Sequence, residues 1–92
     1  MGEKEYVEEW IKHEIKKAKE ELQMLWKKKS DVSIAYSKNM ERYKGDEMKL
    51  RLLKSQTKER MKDINYHIRI QEGQIKTLIK KLEDLKRGQT TL

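Results

Sequence analysis

The chain has 92 residues, 23 of them Lys or Arg and 16 Asp or Glu, giving a formal net charge of +7. Charged residues make up 42%, and there is no Pro, no Cys and no Phe. The totals exclude a multidomain enzyme, a disulfide scaffold, a thiolate metal site and a collagen-like repeat, and the sequence holds no run of about 18 apolar residues of the kind that crosses a membrane.

Proline ends or kinks helices, and a proline-free chain rich in Glu, Lys, Leu, Met, Gln and Arg has high mean helix propensity. An all-α protein is therefore expected. The opening, Met1 to Trp10, is too charged for a secretory signal. Tyr6, Val7, Trp10 and Ile11 make it amphipathic, but Glu3, Glu5, Glu8 and Glu9 would be repelled by anionic lipid. No membrane partner and a cytoplasmic location are the expectation.

Residues 5–44 read as the first helix. With heptad position a at Glu8, Ile15, Leu22, Lys29, Tyr36 and Tyr43, position d falls on Ile11, Ala18, Leu25, Val32 and Asn39. This 3,4 spacing of mostly apolar residues marks coiled-coil or bundle packing. Lys27, Lys28 and Lys29 followed by Ser30 and Asp31 form a polar interruption that could end one helix and cap another. Leu25, Val32 and Tyr36 nevertheless stay in phase across it, and no Gly stands near residue 30. A continuous helix is expected.

Gly45 lies almost at the midpoint and can take the positive φ that closes a helix. Asp46 can cap the next helix, although Lys49 occupies the slot where a capping box wants Glu. Residues 46–87 then read as the second helix, with a frayed tail at 88–92. Its a positions are Lys54, Met61, Ile68, Ile75 and Leu82, and its d positions Leu50, Thr57, Ile64, Gln71, Leu78 and Leu85. Gly73 falls at f, away from the seam.

Two equal helices joined at a glycine predict an antiparallel helical hairpin with coiled-coil packing, residue i lying near residue 90 − i. Ile15 would then meet Ile75, and Lys29 would meet Met61. Lys29, Asn39, Thr57 and Gln71 are polar seam positions of the kind that fix register and oligomeric state at a cost in stability. One seam between two helices offsets chain entropy poorly. A homo-oligomer is expected, with a dimer of hairpins forming a four-helix bundle. Off-seam Trp10, Met24, Trp26, Tyr66, Ile70 and Ile79 are the expected self-association or protein-partner surface, with Ile34, Leu52 and Leu53 a looser group near the turn.

Little in the sequence points to catalysis. His13 and His67 belong to no metal-binding spacing, and His67 is placed to pair with Asp63 on its own helix. The carboxylate pairs Glu8/Glu9, Glu20/Glu21 and Glu83/Asp84 have lysines three or four residues away. Glu8 with Lys12 is the favourable order, and Glu20 and Glu21 would look toward Lys16 and Lys17. No phosphate loop is present and no cofactor is expected. The expected function is a non-enzymatic adaptor, regulator or structural element acting through protein–protein contact. The second reading is a basic regulator binding DNA or RNA. Its candidate phosphate contacts are Lys38, Arg42, Lys44, Lys49, Arg51, Lys58, Arg60 and Lys62. Along the chain, acids are interspersed among these bases.

Overall fold

The computed structural model describes residues 2–88. Two helices, α1 (Glu3–Arg42) and α2 (Glu47–Lys86), pack against each other as a helical hairpin, and the described residues contain no strand. α1 runs unbroken through Ser30 and Asp31. The three lysines before Ser30 do not end it, because Leu25 and Val32 keep an apolar stripe turned inward on both sides of them.

The helix ends differ slightly from expectation. α1 starts two residues earlier and stops at Arg42, so Tyr43 and Lys44 belong to the turn. Gly45 has φ +94, a backbone state that side chains with a Cβ resist. The Asp46 amide donates to the Tyr43 carbonyl at 3.0 Å, closing a four-residue turn over Lys44 and Gly45. Asp46 then caps α2, its Oδ1 accepting the Lys49 amide at 3.1 Å. Lys49, where a carboxylate is usual, turns its ammonium back to Asp46 Oδ2 at 4.0 Å and lies 5.4 Å over the Tyr43 ring. The cap is thus completed by a cation. α2 stops at Lys86, where Gly88 takes φ +79 and its amide donates to the Leu85 carbonyl at 3.1 Å. Residues 89–92 of the expected frayed tail lie outside the described residues.

Burial follows the heptads. On α1, Ile11 and Ala18 are buried, and Ile15, Leu22, Leu25, Val32, Tyr36 and Tyr43 are half-buried. On α2, Ile64, Ile68 and Leu85 are buried, and Leu50, Met61, Ile75, Leu78 and Leu82 are half-buried. One seam position is corrected. Lys54 is exposed and Leu53 takes its inward place. The spacing Leu50, Leu53, Thr57 satisfies the same 3,4 rule as Leu50, Lys54, Thr57, and burying leucine costs no charge desolvation.

The chain divides into two compact units, Met1–Gln23 with Arg69–Leu92, and Met24–Ile68. The first holds Ile11, Ala18 and Leu85 as its buried apolar side chains, Ile11 at 1% exposure. The second holds the turn, with Ile64 and Ile68 buried. Inside the first unit, Gln71 Nε2 donates to Glu21 Oε2 at 2.8 Å, tying positions that add to 92. Inside the second, Lys28 and Ile64, which also add to 92, line one groove. Both sums lie within two residues of the 90 − i expectation, as antiparallel packing of the two helices requires.

Candidate interaction surfaces

The polar seam positions Lys29, Asn39, Thr57 and Gln71 are all half-buried. Lys29 extends outward, its Nζ 4.9 Å over the Trp26 ring. Its stem lies along the apolar seam while its charge escapes to an aromatic face. Gln71 bonds Glu21 through its amide nitrogen, but its Oε1 is buried without a partner. Glu21 therefore reaches across to α2 rather than along its own helix to Lys17. Lys12 pairs as expected with Glu8 at 3.4 Å and also with Glu9 at 3.7 Å.

All six expected partner-surface residues face solvent. In the first unit these are Trp10, Ile70 and Ile79, with Tyr6 beside them in the exposed set. In the second they are Met24, Trp26 and Tyr66, joined by Ile34, Met40, Met48 and Leu52. Met24 is 72% exposed and Met48 84% exposed. Met40 and Met48 were not legible as surface residues, because flexible apolar methionines near a turn fit a core equally well. Gly73 has open space where a Cβ would stand, so nothing among the described residues requires glycine there. Its carbonyl accepts the Thr77 hydroxyl at 3.0 Å.

The second unit also carries a shallow groove of about 460 Å³, floored by Val32, Ala35 and Ile64 and rimmed by Lys28, Asp31, Arg60 and Asp63. The rim repeats one motif: a base, an acid three residues later, then an aliphatic residue, on each helix. Its two bases and two acids balance. His67 Nε2 lies 3.6 Å from Asp63 Oδ1, and its ring meets Tyr66 edge-on at 5.6 Å. Among the described residues, no three His, Asp or Glu side chains gather as a metal site, and no helix is long and apolar enough to cross a membrane.

The eight candidate phosphate contacts, Lys38, Arg42, Lys44, Lys49, Arg51, Lys58, Arg60 and Lys62, are all exposed and all belong to the second unit. That unit contains twelve basic and six acidic residues, net +6, and the first contains eleven and ten, net +1. Splitting the chain after residue 44 would narrow this contrast to +2 against +5, because each unit draws on both helices. No protein-family model, curated protein or solved structure matches the chain.

Proposed function

We propose that the chain works by binding rather than catalysis, as a small coiled-coil module whose off-seam apolar residues bring two copies together. One observation carries this reading. Eleven large apolar side chains are exposed among the described residues, and only five apolar residues are buried. Apolar surface removed from water contributes roughly 25 cal/mol per Å², and a single seam, along which the other large apolar residues are half-buried, leaves much of the surface of these eleven in water. A second copy is the simplest source of further helices around the same residues, and two hairpins give a four-helix bundle. In the first unit the contact would use Trp10 and Ile70, both at c positions. In the second it would use Met24 at c and Tyr66 at f. The adaptor, regulatory or structural role follows from such an assembly offering a surface to another protein.

Sedimentation velocity tests the reading. The wild-type chain should sediment at twice its 11.2 kDa mass. The double substitutions Trp10→Gln with Ile70→Gln, and Met24→Gln with Tyr66→Gln, should each shift it toward monomer with helicity retained. A wild-type chain that stays monomeric at high micromolar concentration would overturn the dimer.

A further inference from the structure

We infer that the second unit carries a nucleic-acid backbone site on the flank of the hairpin opposite the groove, made by Arg51, Lys54, Lys58 and Lys62 of α2 with Ser30, Ser33 and Ser37 of α1. The groove fixes which positions share a side. It is lined by Lys28, Asp31 and Ala35 of α1 and by Arg60 and Asp63 of α2, all c or g positions. The e and b positions of both helices therefore share the other flank. On α2 these include Arg51, Lys58 and Lys62, and Lys54 joins them because Leu53 has taken its seam place. At 3.6 residues per turn the four bases fall within an arc of about 80°. On α1 the same flank presents Ser30, Ser33 and Ser37, within an arc of about 60°. All seven residues are exposed.

The acids are sorted by face. Between Trp26 and Met40 on α1, and between Met48 and Ile68 on α2, the only carboxylates are Asp31, Glu59 and Asp63. Asp31 and Asp63 rim the groove on the far flank, and Glu59 stands at f, on the side of α2 turned away from the seam. The unit's other acids, Glu41, Asp46 and Glu47, sit at the turn end. The interspersion of bases and acids along the chain is thus undone by the helix, which sends them to different sides.

The chemistry fits phosphodiesters better than other anions. Four cations in a line along one helix track a chain of charges rather than a single one. Three of the four are Lys, which meets a phosphate oxygen as a point charge and imposes no bidentate geometry on the strand. Serine hydroxyls donate to phosphate oxygens without reading sequence. The site is therefore expected to hold the backbone with little base preference.

Fluorescence anisotropy with labelled single-stranded and duplex oligonucleotides of about 20 nucleotides tests this, since backbone binding releases counterions. With four contacts, raising salt from about 50 to about 200 mM should weaken binding roughly 150-fold for duplex and roughly 50-fold for single strands. The variant carrying Arg51→Gln, Lys54→Gln, Lys58→Gln and Lys62→Gln should lose binding with helicity unchanged. A charge-matched control, Lys28→Gln, Lys38→Gln, Arg42→Gln and Arg60→Gln, removes four bases from the other flank and should keep most of the affinity. Equal loss in both variants would overturn the site, because net charge alone would then explain binding. So would the absence of binding at low salt, or equal affinity for polyglutamate or anionic vesicles. None of the seven residues belongs to the proposed dimer contact, so sedimentation and anisotropy can fail separately.

Discussion

Gln71 and Gly73 lie two residues apart and illustrate opposite costs. Gln71 was recognisable as a polar seam residue from its heptad position alone. Its half-satisfied state was not, because the bond to Glu21 depends on the register between helices. A buried acceptor without a partner costs about 1–3 kcal/mol, and one neutral-to-charged hydrogen bond recovers part of that. Gln71→Leu is therefore expected to stabilise the protein by about 1 kcal/mol in urea unfolding, and to broaden the oligomeric distribution seen by sedimentation. Unchanged stoichiometry would remove the specificity role. Gly73 is simpler. Its Cβ space is empty and it lies in the helix interior. Gly73→Ala should raise stability by about 1 kcal/mol, measurable as a shifted denaturation midpoint at constant m-value. A loss of stability instead would mean that another helix approaches closely at this site.

At the scale of elements, the turn is the local feature most fully written in the chain. Gly45 and Asp46 act by separate physics, one through backbone conformation and one through an acceptor for orphan amides. Gly45→Ala keeps open space around the new methyl but must hold φ +94, so it should cost roughly 1–2 kcal/mol. Asp46→Ala should cost about 1 kcal/mol through loss of the cap to Lys49. Because Lys49 also leans on Asp46 and Tyr43, a double-mutant cycle of Asp46 with Lys49 should show coupling below about 1 kcal/mol, as exposed pairs do. In the seam of the first unit, Ile11→Ala removes its most deeply buried side chain and should cost about 2–5 kcal/mol in thermal or urea unfolding. The Lys54 and Leu53 exchange shows where periodicity stops being decisive. Both spacings are helical, and the choice between them was made by which side chain the opposite helix would accept.

At the scale of the molecule, charge is unevenly placed, with +6 on Met24–Ile68 and +1 on Met1–Gln23 with Arg69–Leu92. This predicts that binding to polyanions, where it occurs, follows substitutions in the second unit and is little affected by neutralising Lys16, Lys17 or Lys80. Anisotropy with a Lys16→Gln, Lys17→Gln, Lys80→Gln variant checks that expectation. The amino-acid sequence by itself determined the two amphipathic helices, their turn at Gly45, the Asp46 cap and the six outward apolar side chains. Each of these depends on intrinsic propensity or on a 3,4 period that a linear string displays directly. Only the packed structure decided the inward turn of Leu53, the Glu21 bond and which positions of the two helices share a flank. Those properties depend on pairs of residues tens of positions apart, and a helix mixes neighbours in the chain onto opposite sides.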